Sequence, residues 1–215
     1  MKKIQQLLMV LLMPLLAFSI SAYAEKYTEG KQYTKVNETL SSKTEVREYF
    51  SFYCPHCFNS EPLMGALKKS LPSNVKFERN HVDFLRAASP KIQAMLSKAA
   101  VVAEQLGAEE KLIAALFNYI HVQRAVITSE KDIRNIFVLN GADGDKFDKL
   151  MKSFSVNAQA KSMKKHQDTL SKSGALKGVP TIVVNGKYRV NNKELDKNNP
   201  EEDYKSLVKY LLTLK

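Results

Sequence analysis

The chain has 215 residues, 44% of them hydrophobic, with a net charge of +11 and two cysteines. That length supports one ordinary domain carrying an insertion, and two cysteines are too few for a secreted scaffold held by disulfides. The excess Lys is scattered through helical patterns such as KSMKKHQ (161–167), with no aromatic interleaving, which excludes a single-strand nucleic-acid binder and leaves a solvated basic surface.

Residues 1–24 differ in character from the rest of the chain. Lys2 and Lys3 open it, Ile4 to Ile20 is an almost unbroken apolar run, and Ala22-Tyr23-Ala24 forms an A-x-A cleavage site. This is the form of a secretory signal peptide, cut after Ala24. A membrane anchor fits less well: the run is short for a span, Pro14 interrupts it, and small residues come next where a basic stop belongs. Cleavage leaves about 190 residues and lowers the charge from +11 to about +9.

Residues 31–38 (KQYTKVNE) are a weak strand candidate and 44–53 (TEVREYFSFY) a stronger one. In the latter Val46, Glu48, Phe50 and Phe52 alternate with Arg47, Tyr49 and Ser51, and both faces become apolar near the end, as in a central strand buried on both sides. A helix comes next, with Phe58, Met64, Leu67 and Leu71 at helical spacing, Pro62 as an expected kink and Pro72 as its stop. VKFERNHVDF (75–84) is the next strand, completing a β-α-β unit.

The pattern is then helical over 88–172. One helix opens at Ser89-Pro90 and ends at Gly107. A second carries Leu112, Leu116, Phe117 and Ile120. A third has Ser129 as N-cap and Asp132 at its third position, and stops at Gly141. A fourth holds Phe147, Leu150, Met151 and Phe154 on its buried stripe. A long polar helix over about 157–173 leads to Gly174. Strand character returns in VPTIVVNGKYRV (179–190), where Asn185-Gly186 marks a hairpin. Asn199-Pro200-Glu201-Glu202 opens a last helix with Tyr204, Leu207, Val208 and Leu211 on its buried face. The fold class is therefore α/β, with an all-helical insert between a β-α-β half and a β-β-α half.

The two cysteines, Cys54 and Cys57, fall in FSFYCPHCFNSEP (50–62), directly after the central strand. A structural zinc site needs four ligands, and no two of His56, His81, His121 and His166 have ligand spacing. A ring this small adds little as a structural staple. Export together with one tight pair points to redox chemistry in an oxidising compartment. Cys54 lies at the helix N-terminus, where free N–H groups and the dipole favour a thiolate. Cys57, one turn into the helix and less accessible, can close the ring and resolve a mixed disulfide. Pro55 fixes the turn without adding an N–H. His56 is either a thiolate stabiliser or a plain exposed loop histidine. Glu48 is a carboxylate on a burial phase: either a proton relay for Cys57 or an edge position paired with Lys or Arg.

EYFSFYCPHC (48–57), FERNHVDF (77–84) and GVPTIVVNGKY (178–188) resemble the DsbA family, the bacterial periplasmic thiol:disulfide oxidants, over essentially the whole chain after residue 24. The resemblance implies a thioredoxin-like domain from residues 25–87 and 173–215, with a helical insertion domain at 88–172. It implies Cys54 as nucleophile, Cys57 as buried partner, His56 as thiolate stabiliser and Glu48 as the acid beneath the site. It further implies Pro180 as a cis-proline, with Val179 beside it as a strand-addition site for substrate. The hinge before the insert is RAASP (86–90), without the glycines expected there. The implied activity is a monomeric periplasmic dithiol oxidase acting on reduced, unfolded exported proteins. A DsbB-type membrane quinone reductase would reoxidise it, and no cofactor or metal is needed beyond the sulfurs. A disulfide isomerase or reductase is the rival enzyme, although only about twenty residues precede the active-site strand after cleavage, too few for a separate dimerisation domain. A non-catalytic holdase is the rival binding role.

Overall fold

The alternation in EVREYF builds the strand around which the sheet assembles. In the computed structural model, which describes residues 26–36 and 43–214, the strands are β1 (Tyr33–Lys35), β2 (Glu45–Phe50), β3 (Lys76–His81), β4 (Thr181–Val184) and β5 (Tyr188–Val190). The predicted signal peptide lies outside these residues. The sheet order is β1-β5-β4-β2-β3. β2 runs parallel to β3 and antiparallel to β4, so it lies inside the sheet, as a strand apolar on both faces should. Asn185 and Gly186 both adopt positive φ, 52° and 64°, the backbone that a two-residue hairpin turn between β4 and β5 requires.

The helices are α1 (Pro55–Ser70), α2 (Pro90–Gln105), α3 (Glu109–Phe117), α4 (Glu130–Leu139), α5 (Gly144–Lys152), α6 (Phe154–Lys172) and α7 (Pro200–Thr213). α1 links β2 to β3 and stays continuous across Pro62. The expected caps form: the Ser89 hydroxyl accepts from the Ile92 N–H at 3.3 Å, and the Asp132 carboxylate accepts from the Ser129 N–H at 3.0 Å. Each satisfies a backbone donor left open at a helix start.

Two helical expectations are corrected. Phe154, expected on the buried stripe of the fourth helix, is 89% exposed. Ser153 both ends α5 and caps α6, its hydroxyl accepting from the Val156 N–H at 3.2 Å, so the chain turns there and Phe154 opens a new helix facing outward. The second helix also does not carry its α-register to Ile120. α3 ends at Phe117 and passes into a π turn over Asn118–Val122.

β2 distributes its side chains among three apolar clusters. Val46 packs with Met64 and Leu67 of α1 and with Leu207, Val208 and Leu211 of α7. Tyr49 points to the opposite face, against Leu170 and Val183. Phe50 and Phe52, with both cysteines, join the core of the helical insert around Phe117 and Leu116. Phe50, Phe52 and Phe117 are fully buried, each contributing about 1.5–3 kcal/mol by leaving water. The redox loop is thus packed into the insert's core.

Candidate active site

β2 ends at Phe50, and four residues later Cys54 is the N-cap of α1 with extended backbone (φ −94°, ψ 111°) and Pro55 at the first helical position. The Cys54 Sγ accepts from the Cys57 N–H at 3.2 Å. Both thiols are free. Donation from the Cys57 S–H pulls the Cys54 thiol down to about 6, helped by the backbone N–H groups of Cys57 and His56 and by the charge of His56, against the effect of burial. Cys57 moves the opposite way, because it gives its proton to that bond and is fully buried. Two thiols pushed this far apart in proton affinity have distinct roles: Cys54 ionises while Cys57 holds its proton.

Pro55 and His56 are exposed at the mouth of the loop. Cys54 is the more accessible sulfur, although its exposure is only 5%, less than its expected openness. The Cys54 S–H donates to the Val179 carbonyl at 3.3 Å. That carbonyl reaches the site because β4 pairs with β2, Thr181 standing opposite Tyr49, and the residues just before β4 pass the end of β2. The Val179–Pro180 peptide bond is cis, and the Thr181 hydroxyl donates to the Gly178 carbonyl at 2.8 Å, closing the loop on itself.

Glu48 is 0% exposed on a central strand, so its edge-strand alternative is corrected, but the cationic partner is present. Arg79 on β3 stands directly opposite Glu48, its Nη1 3.5 Å from Glu48 Oε2. Glu61 of α1 holds the same guanidinium in two bonds of 2.8 and 3.1 Å, and neither Glu48 oxygen accepts a hydrogen bond. Burial therefore pushes Glu48 up to about 7, with Arg79 opposing and Glu61 adding to the rise. Arg79 and Glu61, the charged neighbours of Glu48, are not foreseen in the sequence. A signal exists, since Arg79 shares the phase of Phe77 and His81 as Glu48 shares that of Val46 and Phe50. Only the strand register joins them.

His121 enters the sequence reading only as a possible metal ligand. It sits in the π turn, its Nε2 2.8 Å from the Phe52 carbonyl and its ring parallel to Phe58. Among the described residues no group of three or more His, Cys, Asp or Glu is gathered closely enough to hold a metal ion.

A helix N-terminus that splits two thiols, on a mixed sheet with a helical insertion between its halves, defines a thioredoxin-fold thiol:disulfide oxidoreductase. Comparison with known proteins narrows the class: a family model described as "DSBA-like thioredoxin domain" matches residues 45–199, and the chain belongs to that DsbA family. It is 37% identical to the thiol:disulfide interchange protein DsbA of Pectobacterium carotovorum over 206 residues, covering 93% of this chain and 94% of that one. The DsbA of Yersinia pestis is 36% identical over the same shares. Among solved structures, a cysteine-to-serine variant of Proteus mirabilis DsbA bound non-covalently to the peptide PWATCDS superposes with a TM-score of 0.77 at 32% identity, over 87% of this chain and 99% of that one.

Proposed function

We propose that the protein is a periplasmic dithiol oxidase that introduces disulfide bonds into reduced, unfolded exported proteins. The observation that carries this reading is the placement of the two sulfurs at the start of α1, with Cys54 Sγ accepting from the Cys57 N–H at 3.2 Å, a setting that lowers the Cys54 proton affinity while Cys57 is buried. Stabilising the Cys54 thiolate stabilises the dithiol form, which makes the disulfide form a stronger oxidant.

In the oxidised protein a substrate thiolate attacks Cys54 Sγ. The Cys54–Cys57 bond breaks, a substrate–Cys54 bond forms, and Cys57 leaves with the electron pair. Cys57 then takes up a proton, and Glu48, buried, poised near neutrality and felt electrostatically by Cys57, is the proposed donor. A second substrate thiolate attacks the substrate sulfur of the mixed disulfide and expels Cys54 as its stable thiolate. The substrate has lost two electrons and the enzyme has gained them. The sulfurs are the redox centre, and no cofactor takes part. His56 and Pro55 tune Cys54. Val179, with Pro180 turning the chain after it, offers backbone for an extended substrate to pair as an added strand. The peptide complex of the Proteus relative supports a cysteine-containing peptide as substrate class. A DsbB-type membrane quinone reductase is the proposed reoxidant, the monomer the proposed working form, and the amino-terminal pattern the support for export.

The test is stoichiometric. Oxidised protein is mixed with a reduced, unfolded two-cysteine polypeptide and free thiols are trapped over time. One substrate disulfide per enzyme molecule is expected, with none for Cys54→Ala. Full complementation of an oxidase-deficient strain by a variant with both cysteines changed to Ala would overturn the reading in favour of a holdase.

A further inference from the structure

We infer that His121 is a positioning residue for the redox loop, through which the helical insert holds the Cys54–Cys57 pair in its oxidising geometry. The inference rests on the dithiol-oxidase reading.

The loop is fastened on its strand side by Ser51: its carbonyl accepts from the Cys54 N–H at 3.0 Å and its hydroxyl from the Tyr53 N–H at 3.2 Å. Phe52 lies between, fully buried, with its ring among Phe50, His81 and Phe117. A buried carbonyl at such a place needs a donor, and His121 supplies it at 2.8 Å. A carbonyl oxygen only accepts, so Nε2 carries the proton in this contact. The same imidazole lies parallel to the Phe58 ring, 7° between planes and 5.1 Å between centroids. Phe58 directly follows Cys57, and its N–H bonds the Cys54 carbonyl at 3.1 Å. One side chain from the insert therefore grips the loop on both sides of the cysteines. The π turn over Asn118–Val122 is what carries His121 there, and such turns recur at functional sites.

The grip acts unequally on the two redox states. In the disulfide form a covalent bond ties the N-cap of α1 to its first turn. In the dithiol form only non-covalent contacts keep the Cys57 N–H aimed at Cys54. Removing the His121 donor thus costs the dithiol more than the disulfide, raises the Cys54 proton affinity and weakens the oxidant.

The experiment compares His121→Phe, which keeps an aromatic ring and loses the donor, with His121→Gln, which keeps an N–H donor. Each is measured for Cys54 thiolate absorbance against pH, for the equilibrium constant with glutathione, and for thermal midpoints in both redox states. For His121→Phe we expect a higher thiolate midpoint, an equilibrium about threefold to tenfold less oxidising, the effect of one differential hydrogen bond, and a larger loss of midpoint in the dithiol form. His121→Gln restores most of the thiolate midpoint and the equilibrium. A folded His121→Phe with wild-type titration and equilibrium, or equal destabilisation of both redox states, overturns the inference. If His121→Phe does not fold when reduced, the wild-type imidazole nitrogen resonances decide. The His121 signals move between redox states if the grip differs, and identical signals overturn it. A wild-type protein no more oxidising than thioredoxin would sink the oxidase reading by itself, while the difference between variants would still judge His121.

Discussion

The Cys54 thiol and the Val179 carbonyl oxygen face each other at 3.3 Å, sulfur donating to oxygen across two segments that meet only because β4 pairs with β2. This contact exists only while Cys54 carries its proton. In a disulfide the sulfur has none to give, and the oxygen is open to an incoming peptide N–H.

Peptide binding should therefore depend on redox state. A peptide whose cysteine is replaced by serine is expected to bind the disulfide form about fivefold more tightly than the dithiol form below pH 6, the worth of one neutral hydrogen bond. Calorimetric titration of both forms checks this. Equal affinities would show that strand addition does not use the Val179 oxygen.

Ultraviolet titration of the Cys54 thiolate should give a midpoint near 6. The Cys57 S–H is the first cause of that value, so Cys57→Ala should raise it and Cys57→Ser, which keeps a donor, should raise it less. Because the folded value lies below the ordinary thiol value of 9.0, the dithiol form gains stability as pH rises from about 6 to 9 and loses it as pH falls through 6. The disulfide form lacks that dependence. Parallel melting curves of the two forms with no pH-dependent difference in this window would contradict it.

Glu48 has the opposite sign. Its folded value of about 7 exceeds the ordinary 4.5, so the native state binds more protons between those values. Stability falls as pH rises through that window and levels above it. Glu48→Gln removes the slope. In the disulfide form, where Cys54 does not titrate, it should be near neutral at pH 4 and stabilising by about 3 kcal/mol at pH 8. Denaturant melts at the two values decide. A destabilised variant at pH 8 would mean that the Arg79 pairing outweighs the burial of charge.

Phe147 and Phe154, alike in the helical pattern of the sequence, separate sharply in the structure. Phe147→Ala, in the insert's core, should cost about 3–5 kcal/mol, whereas Phe154→Ser on the exposed start of α6 should lie within about 0.5 kcal/mol of wild type. Chemical denaturation of both variants tests this, and a large loss for Phe154→Ser would mean that α6 buries it.

Much of the fold is legible in the sequence because local chemistry dictates it. Alternation marks β2, Asn185-Gly186 marks the hairpin, Ser89 and Asn199-Pro200 mark helix starts, and the spacing of Cys54 and Cys57 after β2 places a thiolate at a helix end. What stays hidden depends on partners distant in sequence. The Glu48–Arg79 pairing follows from the β2–β3 register, and the Cys54–Val179 contact from β4 lying beside β2. The family resemblance, not the pattern of residues, points to Val179 and Pro180. His121 escapes the sequence reading because a period of 3.6 residues cannot foresee a π turn, and Phe154 is misplaced because Ser153 serves two helices at once.

The most decisive single measurement is the equilibrium of the Cys54–Cys57 pair with glutathione, read by trapping free thiols. The dithiol-oxidase reading requires a potential to the oxidising side of thioredoxin's, about −270 mV. A value at or below thioredoxin's would contradict the oxidase reading, because a disulfide no more oxidising than thioredoxin's does not drive disulfide formation in exported proteins.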